Sequence, residues 1–553
     1  MKKNLLKSLS LALLSLMIVA CSNPSKMAKF ASQVTTECNP QVLEAKAGKI
    51  SATYTVKFPA KYFVKKAILN ITPVLVYEGG EVAGPILSLQ GEKVLDNNAV
   101  ISYANGGTAS KEVVFNYVPG MEKATLELRA TVTNDKKTKS YAYPVPFKIA
   151  DGTNCTYMLA CTHGTPSFEA DNYQKIIKEK EESQVLYLIN SAEVRKNQLK
   201  TSEIKEFEEF LKKTKADERR TITSNDIVAY ASPDGVFDKN ATLAEKRAST
   251  AKTAFVKTIT KKVDVKDIPL NVNQISEDWE GFQELVSQSD IQDKDLIIRV
   301  LSMYSDPNVR EREIRNMSNV FQTLATKVLP ALRRARFIAN VEYKNWTDAE
   351  LTQIIDDNID QLDEEALLYG ATLFDKDDAK ANIYKKAADK FNSSRAYNNL
   401  AALNLKAGKT ADAKANLAKM SNKTTSYYNN MGAAALQEKD LAKAAEYLAK
   451  SDLKEAKYNM GAIDILNGNY SQAVSDLNGS GSCNEALASI LTNNLAKAST
   501  ILKDKKCPNS AYLSAIVAAR NGNASEAKAQ LEIAKKNATL AARSAKDIEF
   551  AKL

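Results

Sequence analysis

From about residue 346 onward this 553-residue chain is rich in alanine and lysine and carries a short frame that keeps returning. A returning frame constrains a fold more than any single motif, because each copy must bury its apolar face against its neighbours. Tyr397-Asn398-Asn399-Leu400-Ala401 leads through Gly408 to Ala413 and Leu417, and Tyr428-Asn429-Asn430-Met431-Gly432 leads to Ala444 and Leu448. The frame comes back as Met460-Gly461, Gly468, Ala473 and Leu477, and again as Gly522, Ala527 and Leu531. Small residues recur where paired helices must touch, and large apolar ones fill the gaps between them. The alanines Ala413, Ala444, Ala473, Ala498 and Ala527 are 31, 29, 25 and 29 residues apart, so some helices must be short.

This frame resembles tetratricopeptide repeats in degenerate form; their usual period is about 34 residues. The usual repeat-ending proline is absent, and a plain helical bundle is the alternative. The resemblance implies a solenoid over 346–553 that offers a concave groove to a protein partner.

The chain before the repeats has a different texture. Over 38–150 the residues alternate, as in Ser51–Phe58, Thr72–Tyr77 and Ala124–Val132, with turn signals at Gly79-Gly80 and Gly106-Gly107. That pattern predicts an all-β sandwich serving as a structural or interaction module. Residues 1–20 carry Lys2, Lys3 and an apolar run, Leu11 to Val19, and end at Ala20 just before Cys21. This is the pattern of a lipoprotein signal peptide, whose apolar core is too short to span a bilayer; the alternative is an ordinary cleaved signal with an incidental cysteine. The expected mature chain starts at Cys21, acylated with chains such as palmitate and held in outer-membrane lipid, with 21–37 as a polar tether. The residues after Cys21 lack the acidic cluster of surface lipoproteins of the Bacteroidetes, which points to the periplasmic side.

Removing Lys2, Lys3 and Lys7 from the net charge of +10 leaves +7 on the mature chain, spread through Lys-rich helices without a dense stripe. Such a surface is solvated, and no nucleic acid is expected as a partner. His163 is the only histidine and there is no CxxC pair, so no zinc site and no cofactor is expected. Five cysteines remain after Cys21; Cys155–Cys161 and Cys483–Cys507 are candidate bridges in an oxidising compartment, with buried free thiols as the equal alternative.

Residues 165–345 read as a central α/β domain. A helix with the Lys/Glu run Lys175 to Glu182 is expected first, then a strand Val185–Ile189. A helix with Ile204, Phe207, Phe210 and Leu211 follows, then a strand Ile227–Ala231, a helix from about Leu243 to Ile259, a helical insertion at about 280–330, and a strand over 333–343. The stretch Val228-Ala229-Tyr230-Ala231-Ser232-Pro233-Asp234, with Asn240 and Glu245-Lys246-Arg247-Ala248 after it, resembles the ligand-binding strand, loop and helix of the OmpA C-terminal family. That family grips the diaminopimelate of a peptidoglycan stem peptide. The resemblance places its arginine on Arg247, its asparagine on Asn240 and its aspartate on Ser232, where a hydroxyl replaces a charge. Asp234, two residues on, and Asp238 are substitutes for the lost anion.

Trp279 is expected to anchor the insertion or to stack on a ligand beside the site. Asp356-Asp357 and Asp377-Asp378 read as helix-start carboxylates rather than catalytic pairs. No nucleophile elbow, phosphate loop or metal-ligand set is present, and no enzyme is expected. Taken together, the resemblances imply a non-enzymatic outer-membrane lipoprotein that tethers the membrane to peptidoglycan and recruits partners through its repeats. The alternative is a scaffold subunit of an outer-membrane assembly or secretion complex that has lost peptidoglycan binding.

Overall fold

The structure is a computed structural model that describes residues 23–233, 235–291, 294–316 and 318–553; the signal region with Cys21, and Asp234, lie outside these residues. Two units emerge from the packing: one combines the chain up to Ala170 with Lys376–Leu553, the other is Asp171–Asp375. The segments read from composition as 38–150 and 346–553 are thus largely one body, and the central domain is inserted between its halves. Among the described residues no helix is long and apolar enough to cross a membrane.

The N-terminal half of the first unit is a sheet of β1 (Thr35–Asn39), β2 (Val42–Lys46), β3 (Lys49–Phe58), β4 (Ala67–Tyr77), β5 (Gly80–Ala83), β6 (Leu87–Gly91), β7 (Ala99–Ile101), β8 (Gly107–Asn116), β9 (Thr125–Asn134), β10 (Ser140–Ala142) and β11 (Phe147–Asn154). Every second residue of β3 and β9 is buried, which is what the alternating text requires of strands with one solvated face. The order is β1-β3-β2-β11-β9-β4-β6-β7, with β8 on β3, β5 on β4 and β10 on β9. β2 pairs antiparallel with β3 and parallel with β11, so the two layers expected of a sandwich are halves of one continuous sheet. Their inward side chains share a single core.

The second unit has a four-stranded sheet of β12 (Ile176–Leu186), β13 (Arg220–Tyr230), β14 (Leu270–Ile275) and β15 (Arg334–Lys344), with α1 (Ser202–Ala216) and α2 (Phe237–Phe255) in the crossovers. The order is β12-β15-β13-β14, so the last strand inserts between the first two, antiparallel to both. Val185, Phe207, Leu211, Ile227, Phe255 and Phe337 meet in its core. The run Lys175–Glu182 is not a helix: from Ile176 it is strand, paired along its whole length with β15. Cross-strand charge pairs hold it, Glu182 with Arg336 and Glu179 with Arg220, and this tertiary pairing overrides the local helix preference. β14 escapes detection because it is a polar edge strand in which Leu270 and Val272 alone are half-buried hydrophobics and Ile275 is exposed. Short helices occupy the insertion between Trp279 and Leu332.

The array completes the first unit. After a helix at Asp377–Phe391 come five hairpins: α3 (Ser394–Lys406) with α4 (Thr410–Leu417), α5 (Thr425–Gln437) with α6 (Leu441–Leu448), α7 (Lys454–Leu466) with α8 (Tyr470–Asp476), α9 (Cys483–Leu491) with α10 (Leu495–Leu502), and α11 (Pro508–Arg520) with α12 (Ala524–Ala534). The small residues of the frame are there for close approach: a Cβ on Gly432 or Gly461 would lie 2.5 Å from the Leu448 or Leu477 side chain. At the far end Glu549 joins array to sheet, accepting from Asn154 Nδ2 and Thr156 Oγ1, both at 2.8 Å, and from the Arg520 guanidinium. Ile516, Leu531 and Phe550 extend the core of the sheet into the array.

Candidate functional site

In the second unit α2 carries Asn240 and Arg247 toward the ends of β12 and β13, and both side chains turn onto the protein's own backbone. Arg247 is 1% exposed. Its Nε donates to the Ser191 carbonyl at 3.0 Å, one Nη to the Tyr230 carbonyl at 2.9 Å and the other to the Leu188 carbonyl at 3.3 Å. Asn190, in the left-handed region at φ 54°, turns the chain between two of those carbonyls. Tyr187 packs its ring 5.0 Å from the guanidinium and donates its hydroxyl to the Arg247 carbonyl. A buried guanidinium is tolerable only when acceptors replace its water, and here main-chain oxygens do so.

Asn240 Nδ2 donates to the Ser232 carbonyl at 3.1 Å and to the Gly235 carbonyl at 2.8 Å, pinning the loop that follows β13. The Ser232 hydroxyl is buried and lies 3.4 Å from Arg333 Nε. Asp238 is exposed at the start of α2, and Asp234 lies outside the described residues. Arg247, Asn240 and Ser232 therefore lie together in a knot of main-chain contacts rather than in an open cradle. Trp279 is an anchor of the insertion: its Nε1 donates to Glu277 Oε2 at 2.8 Å, and its ring packs edge-on against Phe282. Asp377 opens a helix and pairs with Lys406, whereas Asp356-Asp357 fall in the last turn of the helix Asp348–Asn358.

The array holds a polar site that sequence reasoning missed. The face built from the first helices of the first four hairpins is not free for a partner; the chain's own segment from Cys161 to Glu169 lies across it. Four asparagines hold that segment by the same two-bond grip, each accepting from a main-chain N–H through Oδ1 and donating to the same residue's carbonyl through Nδ2. Asn484 holds Cys161 at 2.8 and 2.9 Å, Asn459 holds Thr165 at 2.6 and 2.9 Å, Asn430 holds Ser167 at 2.8 and 2.9 Å, and Asn399 holds Glu169 at 2.7 and 3.0 Å. Asn429 and Asn398 each add a bond to a carbonyl of the segment, and each accepts from the gripping asparagine of a neighbouring or the next hairpin. These six amides from Asn398 to Asn484 form a ladder, and the five from Asn398 to Asn459 are at most 2% exposed.

The ladder reads main chain alone. Side chains of the segment contribute little to it, apart from the Ser167 hydroxyl beside Asn429 and the Glu169 carboxylate accepting from Thr424. Asn399, Asn430, Asn459 and Asn484 are 31, 29 and 25 residues apart, the spacing of the first four frame alanines, so they are one repeat position. The next copy of that position is Leu513, buried in the core, and the ladder ends there. His163, on the same segment, places Nε2 3.1 Å from the Lys406 carbonyl, and its own carbonyl accepts from Gln437.

No protein-family model matches the chain, and no curated protein is significantly similar to it. Among solved structures, the crystal structure of a tetratricopeptide repeat protein from Parabacteroides merdae is 13% identical over 34% of this chain and 84% of that one, with a TM-score of 0.27. The cryo-EM reconstruction of native E. coli alpha-2-macroglobulin is 12% identical over 91% of this chain and 25% of that one, with a TM-score of 0.12. Likenesses this distant carry no function across.

Proposed function

We propose that this protein is a non-enzymatic scaffold of a bacterial outer-membrane assembly, anchored by lipid at Cys21, in which an OmpA-like module no longer holds peptidoglycan and a tetratricopeptide-like array meets a protein partner. The observation that carries the reading is the state of Arg247. A stem-peptide carboxylate needs a guanidinium with two donors free to face it. The carbonyls of Leu188, Ser191 and Tyr230 take one donor from each nitrogen of Arg247, and burial that leaves the residue 1% exposed keeps a ligand carboxylate from facing the others. Ser232 supports the same reading, since its hydroxyl supplies no anion for an ammonium. The strand order, with the last strand between the first two, supports the OmpA-like assignment of the second unit. The returning hairpins support the repeat assignment, and with the first-helix face filled by the chain itself, the partner engages the rest of the array.

The test is co-sedimentation of the purified protein, without residues 1–21, on peptidoglycan sacculi. The protein is expected to stay in the supernatant. Co-sedimentation that free diaminopimelate reverses would instead establish the membrane-to-wall tether.

A further inference from the structure

Three cysteines from distant parts of the sequence meet where the asparagine ladder begins. Cys161 is fixed by both of its main-chain groups to Asn484, the neighbour of Cys483 at the start of α9. Cys507 caps α11, which packs against α9: its Sγ accepts from the Ser510 N–H at 3.4 Å and lies 3.4 Å from the Ser510 hydroxyl. The Cys483 and Cys507 side chains are near enough to act on each other electrostatically, and Cys161 also acts on Cys483. Both are unoxidised, Cys507 exposed and Cys483 half-buried. No group of three His, Cys, Asp or Glu side chains among the described residues is placed to hold a metal ion.

The two thiols differ in the way an attacking and a resolving thiol differ. Burial pushes Cys483 up to about 11, and the neighbouring Cys507 sulfur adds to the rise. Burial also works against the Cys507 thiolate, but hydrogen bonds from Ser510, from Cys483 and from the Asn509 N–H outweigh it and hold this thiol below the ordinary cysteine value. A thiolate at the first turn of a helix is further favoured by the N-terminal end of the dipole.

We propose that Cys507 and Cys483 are a thiol–disulfide exchange site, with Cys507 as the attacking sulfur and Cys483 as the resolving one. Cys507 Sγ attacks one sulfur of a disulfide-bearing oxidant, and the other sulfur leaves as a thiolate. Cys483 gives up its proton to solvent and attacks Cys507 Sγ, releasing the second thiolate. Two protein thiols and one external disulfide become one protein disulfide and two external thiols. The new bond staples α9 to the start of α11 beside the anchorage of Cys161, at the end of the array where the threaded segment meets it.

The experiment uses the full chain, first reduced and then exposed to glutathione disulfide at pH 8, followed by acid quench, alkylation and peptide mapping without reductant. Cys483 joined to Cys507 is expected as the main product, with Cys38 and Cys155 alkylated only after denaturation. In C483S the reaction is expected to stop at a glutathione adduct on Cys507. In C507S the adduct on Cys483 should form at least about tenfold more slowly, as its higher pKa requires. Thermal melting of both variants checks that they fold. A Cys161–Cys483 bond as the main product, or a C483S adduct on Cys161 in place of Cys507, overturns the assignment.

Discussion

The two units each bury a polar site, and each site closes on the protein's own backbone, yet the two are built on different logic. Arg247 gathers three carbonyls, two from the turn after β12 and one from the end of β13, onto one cation, so it satisfies acceptors only. The ladder in the array satisfies donors and acceptors in pairs and repeats the grip once per hairpin. Water can hydrate an abandoned carbonyl more readily than a buried N–H can find a new acceptor. Per residue, then, the ladder is the harder of the two to dismantle.

The largest effect should come from N399A, N430A and N459A combined. That variant strips the asparagine partner from the N–H groups of Thr165, Ser167 and Glu169 and from the Glu169 carbonyl, while Asn429 and Asn398 still donate to the Thr165 and Ser167 carbonyls, and each buried group left unsatisfied costs about 1–3 kcal/mol. The total is comparable with the whole stability of a domain, about 5–15 kcal/mol. Hydrogen exchange should show residues 161–169 unprotected, or the first unit unfolded. Retained protection would mean that the segment is held by its side chains after all.

Arg247→Ala should cost less, about 3 kcal/mol or more, because three charge-assisted bonds go while a cavity admits water. Arg247→Lys keeps the charge but cannot reach three diverging carbonyls, and it should recover less than half of the loss. Denaturant midpoints of the second unit would read this. A larger loss for R247A than for the triple asparagine variant would reverse the ranking of the two sites.

These two sites also mark how far the sequence could be read. Asn240, Arg247 and Ser232 lie near one another because a strand, a turn and a helix at that spacing can hardly avoid it. What residue types could not reveal is direction: whether Arg247 faces solvent or the carbonyl of Tyr230 depends on where Leu188 and Ser191 end up. The repeat was legible in its glycines, alanines and leucines, and close approach explains them. The asparagines stood in the same frame, but nothing local says that an amide in a helix will meet a stretch of main chain more than 200 residues earlier. Strand β12 was hidden for a related reason, since its Lys-Glu run becomes strand through its pairing with β15.

The sites differ in acid sensitivity too. Three of the Arg247 donors go to carbonyls, which do not titrate in the working range, so those three bonds should survive mild acid. The junction of sheet and array depends on Glu549. Burial pushes that carboxyl up, but Arg520, Thr156 and Asn154 outweigh burial and hold it below its ordinary value of 4.5. A carboxylate depressed in the folded state contributes stability that is present above the unfolded value and lost as pH falls through the folded one. Melting of the first unit should therefore drop as pH falls below 4.5. Glu549→Gln should remove part of that drop, and an unchanged pH profile in that variant would show that the junction does not rely on the charge.

The smallest effect belongs to the one irregular step in the ladder. From Glu169 back to Ser167 and Thr165 the segment advances two residues per hairpin, but four separate Thr165 from Cys161. The slack is taken up at Gly164, in the left-handed region at φ 76°, where a Cβ would lie 2.9 Å from the Ala433 Cβ on α5. Gly164→Ala should cost about 1–2 kcal/mol from backbone conformation alone, with the contact to Ala433 adding to it. Because the strain falls between two grips, the segment has a choice that the uniform part of the ladder lacks. It can lift Cys161 and His163 off Asn484 and Gln437 and leave Thr165, Ser167 and Glu169 seated. Hydrogen exchange in G164A should accordingly rise at 161–163 and stay slow at 165–169. A rise across all nine residues would mean that the asparagines act as one cooperative clasp, in which case the irregular step is as indispensable as the grips on either side of it.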